Sequence, residues 1–219
     1  MLLKNFAALI FDFDGVIIDS EPLHAEAKRL TLDHFHIPYS PGLFSDFKGR
    51  TDADFFGYVA SEFAPGCTSA AELDAYKRQQ YLDLFEKVPL MPGALEFISV
   101  ARLKFARIGL ATSATARDFS LAMRKYPIQN WFQVIITGED TLWHKPHPEP
   151  YLKALAGLQV NAEDTLVIED SPNGILAAKS AGCTVAAITT TYSAAQLSSA
   201  GADFVARSFF DLEQALELT

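Results

Sequence analysis

Cysteine is scarce in this chain. Its 219 residues include only Cys67 and Cys183, too far apart for a metal-ligand spacing, which argues against a disulfide scaffold or a zinc module and leaves free thiols in a reducing compartment as the expectation. Positive charge is also short: Lys+Arg 18 against Asp+Glu 27 gives a net charge of -9, with no basic run. That balance works against nucleic acid or an anionic membrane as the main partner. Long apolar runs are missing too, since nothing approaches the ~20 residues needed to span a bilayer. Near the start, Lys4 and Asn5 interrupt the apolar residues, which then run into an acidic pair, so no signal peptide is expected. Internal repeats and low-complexity segments are likewise lacking. What the chain does have is 49% hydrophobic residues, ample for one large domain, or for a core with a smaller insertion. A cytoplasmic protein, monomeric or weakly homodimeric, is the expectation.

From Pro92 onward, strand-like apolar runs at 106–113, 132–138, 164–170, 183–190 and 202–206 alternate with helical patterns at 93–103, 116–126, 149–158, 172–181 and 209–218. Regular alternation of this kind predicts right-handed β-α-β units and a doubly wound parallel sheet. A first strand at 7–13 joins it. Residues between break the alternation and read as helices only, at 21–35, 52–63 and 71–86, punctuated by "HIPYSPG" and "APGCTS". The predicted organisation is an α/β core made of 1–17 and 90–219, with an all-helical insertion over 18–89. Open parallel sheets bind ligands beyond the carboxyl ends of their strands, and an insertion at that edge would cover the site.

The first strand carries an anomaly. "AALIFDFDGVIIDSEPLH" places Asp12 and Asp14 where a doubly buried strand should stay apolar. Two carboxylates there need a cation, a network of donors or solvent at the strand end. Polar groups recur at the same edge of other predicted strands: Thr112 and Ser113 after the second, Lys145 in the loop after the third, Glu169 and Asp170 after the fourth. Each alone has an ordinary reading. Asp14-Gly15 suits a turn, Thr112-Ser113 a helix N-cap, Lys145-Pro146 a surface loop, and Asp170-Ser171-Pro172 an N-cap with proline in the first turn. Together at one edge they suit a hard divalent cation and a phosphate: carboxylates for Mg²⁺, with a lysine, a hydroxyl and helix amides for the anion.

The segments "DFDGVIIDSEPLH", "ATSA", "HKPHPEPY" and "VIEDSPNGILAAKSAG", in that order and over nearly the whole chain, resemble the haloacid dehalogenase-like hydrolase superfamily. The likeness is to the branch of β-phosphoglucomutase and small sugar-phosphate phosphatases, which carries a helical cap. The resemblance implies a Rossmann-type core and a Mg²⁺-dependent phosphatase acting on a small phosphorylated metabolite through an aspartyl phosphate. It implies Asp12 as nucleophile and metal ligand, and Asp14 as general acid and base that lends the metal its backbone carbonyl. Thr112 would bind phosphate with Ser113 beside it, Lys145 would balance nucleophile and phosphate, and Asp170 would hold metal with Glu169.

The insertion is where substrate preference is expected. In "FKGRTDADFF", Arg50 or Lys48 is a candidate substrate contact, the alternative being a plain loop with Thr51 or Asp52 as N-cap. Mutases of this branch carry an arginine for a second phosphate a few residues after the glycine, and Asp52 stands at the matching position here, although Lys77 matches a mutase cap lysine. That departure favours hydrolysis over phosphate migration. His24 falls where some relatives place a histidine near the leaving group, with a helix-surface role as the alternative, and Trp143 either walls the site or packs its loop. Two other classes fit less well. A phospho-acceptor receiver module keeps its acidic pair and acceptor aspartate on different strands, and a dehalogenase would need neither the metal nor Asp14.

Overall fold

A computed structural model describes residues 5–40, 42–47 and 51–218. Two compact units emerge, one made of the residues up to Asp19 together with those from Pro89 on, the other of Ser20–Val88.

The first unit is built on six parallel strands: β1 Ala8–Phe11, β2 Arg107–Ala111, β3 Val134–Ile136, β4 Thr165–Glu169, β5 Thr184–Ile188 and β6 Phe204–Ala206. Their order is β3-β2-β1-β4-β5-β6, so the chain runs outward through β2 to β3 on one side of β1 and then through β4 and β5 to β6 on the other, and sheets of this kind bind ligands beyond the strand carboxyl ends where the direction reverses. Phe11 lies opposite both Leu110 and Ile168. Asp12 therefore leaves the sheet between the ends of β2 and β4, its amide still bonded to the Ile168 carbonyl at 2.9 Å. β1 is wholly buried because alternate residues pack on opposite faces. Ile10 joins Val167 and Val185 against Tyr151, Leu155 and Ile175, from helices α7 (Glu149–Leu158) and α8 (Pro172–Ser180). Phe11 instead meets Phe97 edge to face at 6.0 Å, and Phe97 meets Phe209 at 5.1 Å, which brings in α5 (Ala94–Lys104) and α10 (Phe209–Leu216).

The second unit holds α1 (Glu21–His34), α2 (Gly42–Asp46), α3 (Asp52–Glu62) and α4 (Ala70–Phe85). Its centre is aromatic: Phe47, Phe55 and Phe56 pack with Leu32, Val59 and Leu73. Capping boxes start two of its helices, Thr51 with Asp54 and Ser69 with Glu72, each satisfying two otherwise orphaned amides. Helix α2 departs from the expected loop. It lies in a stretch rich in proline and glycine, and only Leu43 of its residues is buried, so five residues left no readable period. The remaining helices are α6 (Ala116–Lys125) in the first unit and α9 (Ala194–Ser199), where no helix was predicted. A capping box of Ser193 and Gln196 marks α9. No helix among the described residues is long and apolar enough to cross a membrane.

Candidate active site

Most polar residues of the site stand at or just after a strand end, where the ladder stops and side chains no longer have to fit between sheet and helix. Asp12 follows β1, Thr112 follows β2, and Glu169 ends β4 with Asp170 next. Lys145 comes from the loop between β3 and α7. Glu149, the first residue of α7, holds that loop by accepting the amides of Leu142 at 3.1 Å and Trp143 at 2.8 Å.

The Lys145 ammonium donates to Asp12 Oδ1 at 2.6 Å and Glu169 Oε1 at 2.7 Å, and lies 4.9 Å above the Tyr151 ring. Glu169 is fully buried, yet both its oxygens are satisfied. Oε1 also accepts the Tyr151 hydroxyl at 2.7 Å. Oε2 takes the amides of Asp170 and Ser171 and the Ser171 hydroxyl, at 3.0, 3.1 and 3.0 Å. Helix α8 can begin directly over this carboxylate because position 174 is glycine: a Cβ there would stand 1.7 Å from Glu169 Oε1. Thr112 Oγ1 accepts the Ala114 amide at 2.9 Å and donates toward Asp14 Oδ2 at 3.5 Å.

The electrostatics follow from burial. Loss of solvent pushes the Asp12 carboxyl up to about 7 despite the pull of Lys145, and raises Asp170 well above the usual carboxylate range, helped by Glu169 and Asp12 nearby. Burial works the other way on Lys145, but Asp12 and Glu169 outweigh it and hold the ammonium firmly charged. For Glu169, burial is outweighed by Lys145 and by its hydrogen bonds, so it stays ionised. Three carboxylates thus face one ammonium in a water-poor site, an arrangement that an additional cation stabilises. One ligand oxygen each from Asp12, Glu169 and Asp170 lies within 4.8 Å of the others. An all-oxygen donor set of this kind fits a hard divalent ion. Gly15 leaves room for the Asp170 carboxylate. Its φ is +73°, and a Cβ there would fall 2.0 Å from Asp170 Oδ2.

The structure brings Asp12, Lys145, Glu169 and Asp170 together, with Asp14 and Thr112 as an adjoining pair. Ser113 is exposed. Trp143 is also exposed, its ring beside His147. Lys48 and Arg50 lie outside the described residues. His24 belongs to the helical unit, where its Nδ1 meets Lys77 Nζ at 2.8 Å and its ring stacks on Tyr81. Lys77 also donates to Asp52 Oδ2 at 2.6 Å, and Lys28 approaches the other Asp52 oxygen at 3.1 Å. Sequence reasoning missed Tyr151, whose apolar body hides a buried hydroxyl. It also missed Thr190, placed at the end of the fifth predicted strand although β5 stops at Ile188, and Thr191, the residue after that predicted strand.

The chain is similar to known proteins in sequence and fold. Residues 9–188 match the family model described as haloacid dehalogenase-like hydrolase. The phosphorylated carbohydrates phosphatase of Thermotoga maritima is 34% identical over 178 residues, covering 80% of this chain and 81% of that one. The phosphoglycolate phosphatase of Yersinia pestis is 30% identical over 222 residues, covering 98% and 95%. A crystal structure from Thermotoga maritima, provisionally described as a beta-phosphoglucomutase, superposes with a TM-score of 0.83 at 28% identity, covering 97% of this chain and 99% of that one. Fold and relatives define an enzyme of the phosphatase class built on a Rossmann-type parallel sheet. The chain belongs to the haloacid dehalogenase-like hydrolase family.

Proposed function

We propose that the protein is a Mg²⁺-dependent phosphatase of small phosphorylated metabolites and works through an aspartyl phosphate on Asp12. The observation that carries this reading is the buried Asp12 carboxylate, held 2.6 Å from Lys145 among acidic groups that one lysine cannot neutralise. Asp12 and Asp170 would hold the ion, the Asp14 carbonyl beside them. Glu169, which already accepts five hydrogen bonds, would have to surrender one to join. Bound there, Mg²⁺ supplies positive charge that screens the carboxylate nucleophile from the phosphoryl oxygens.

The chain's own groups do the rest. A carboxylate oxygen of Asp12 attacks phosphorus, the bond to the leaving oxygen breaks, and Asp14 gives that oxygen a proton. Asp14 then takes a proton from water as the water oxygen attacks the same phosphorus, releasing inorganic phosphate and restoring Asp12. Lys145 stabilises charge on the phosphoryl oxygens, and Thr112 and Ser113 offer hydroxyl donors. Within the helical unit the Lys77 ammonium is engaged by Asp52 and His24. Asp52, at the position where mutases of this branch carry their phosphate-binding arginine, favours hydrolysis. The substrates named for the relatives point to phosphorylated carbohydrates and phosphoglycolate, and unpaired thiols suit a cytoplasmic enzyme.

A panel of sugar phosphates, phosphoglycolate and β-glucose 1-phosphate with catalytic bisphosphate tests the reading. Release of free phosphate that needs Mg²⁺ is the expected result. A silent panel overturns the substrate class, metal-independent turnover overturns the Mg²⁺ dependence, and efficient formation of glucose 6-phosphate replaces hydrolysis with phosphate migration.

A further inference from the structure

Three consecutive threonines, Thr189, Thr190 and Thr191, follow β5, and nothing in the chemistry above uses them. Both flanks of this tripeptide are tied down. The Thr189 amide donates to the Ala206 carbonyl at 3.0 Å, and Tyr192 packs on the core beneath α7 and α8. Between those ties, two hydroxyls reach the acidic site. Thr190 Oγ1 donates to the Gly15 carbonyl at 2.6 Å, and the Thr191 hydroxyl is hydrogen-bonded to the Asp170 carboxylate. Everything converges over Gly15, where an added Cβ would lie 2.0 Å from Asp170 Oδ2 and 2.8 Å from Thr191 Oγ1.

A carboxylate turns easily about its terminal torsion, and a metal ligand must present one oxygen in a fixed direction. Groups that hydrogen-bond a ligating carboxylate set that direction, and losing one typically costs about 10–100-fold in metal affinity. We propose that Thr191 is a positioning residue for the divalent cation, acting through Asp170, and that Thr190 pins the Gly15 turn against which that carboxylate packs. This inference rests on the reading of Asp12 and Asp170 as cation ligands. It gives the loop after β5 a part in the site. A purely structural loop would behave differently: losing the hydroxyl would lower stability and leave cation affinity alone.

The test is calorimetric titration of Mg²⁺ into metal-stripped full-length protein, for the wild type, Thr191→Val, Thr191→Ser and Asp170→Asn. Valine keeps the shape and removes the hydroxyl, so Thr191→Val should weaken binding by about tenfold or more. Serine keeps the hydroxyl and should restore wild-type affinity, while Asp170→Asn should lose most of the binding. In steady state, Thr191→Val should need more Mg²⁺ for half-maximal rate yet recover most of kcat, with unchanged KM, once the ion is saturating. Wild-type affinity in Thr191→Val, or equal weakening in the valine and serine variants, overturns the inference and leaves the phosphatase reading intact. Absence of Mg²⁺ binding by the wild type overturns both.

Discussion

At the scale of single residues, Asp12 and Asp14 are two positions apart and face different surroundings. Asp12 is buried against Lys145 and the acidic group that follows β4. Asp14 is only partly buried and lies in the turn that Gly15 closes through its bond to the Ile18 carbonyl. Their proposed roles differ accordingly, and so should their variants. Asp12→Asn removes the nucleophile, so turnover and any trapped acyl phosphate should both vanish. Asp14→Asn keeps its backbone carbonyl and should still bind Mg²⁺, with turnover down by about 10²–10⁴-fold, the usual worth of positioned proton transfer. An aryl phosphate, whose leaving oxygen needs little protonation, should still phosphorylate Asp12 in that variant. Mass spectrometry of quenched protein locates the phosphoryl group, and finding it on Asp14 reverses the assignment. Both aspartates stood out in the sequence because charge is costly inside an apolar strand. Tyr151 did not, because a tyrosine in a helix gives no sign that its hydroxyl will be buried against Glu169.

At the scale of elements, strands and long helices were legible and short or irregular ones were not. Burial on both faces makes β1 a continuous apolar run, and burial of one face gives α7 its period. In contrast, α2 and α9 are too short to show a period, and one of them is marked only by its capping box. The helical unit adds a cluster that joins α1, α3 and α4: His24, Lys28, Asp52 and Lys77, with Tyr81 stacked on the imidazole. Burial, reinforced by the Lys77 charge against the pull of Asp52, lowers the His24 pKa from 6.5 to about 3. Between those values the unfolded chain binds a proton that the folded unit refuses. Stability from this residue is therefore complete above pH 6.5 and is lost as pH falls toward 3. Asp52, whose pKa is lowered because Lys77 and Lys28 together outweigh its burial, adds a loss of the same sign only at pH below the ordinary carboxylate range. Urea unfolding of the helical unit should accordingly show a slope of up to about 1.4 kcal/mol per pH unit in the His24 window. His24→Gln, which can still accept from Lys77, should flatten it. An unchanged slope in that variant places the titration elsewhere.

At the scale of the whole molecule, a chain of net charge -9 gathers buried acidic groups at one sheet edge, where burial and neighbouring carboxylates raise Asp12 and Asp170, so a dication that favours their ionised forms should bind the folded site. Mg²⁺ at about 100 times its dissociation constant should stabilise the unit holding the site by about 2.7 kcal/mol. Its thermal midpoint should therefore rise by several degrees, and a chelator should reverse the shift. Calorimetry that finds no shift in the wild type, or the same shift in Asp170→Asn, removes the ion from this site. By itself the sequence determined the parallel α/β class, the helical interruption after the first strand, and the charged residues at successive strand ends, because periodicity and the cost of buried charge act locally. Only the tertiary structure decided who meets whom. Lys145 bridges Asp12 and Glu169, Tyr151 and Ser171 satisfy Glu169, and the loop after β5 reaches back to Gly15 and Asp170. Those pairings depend on the register of β1 against β4 and on loops far apart in the chain, and no local pattern encodes such nonlocal geometry.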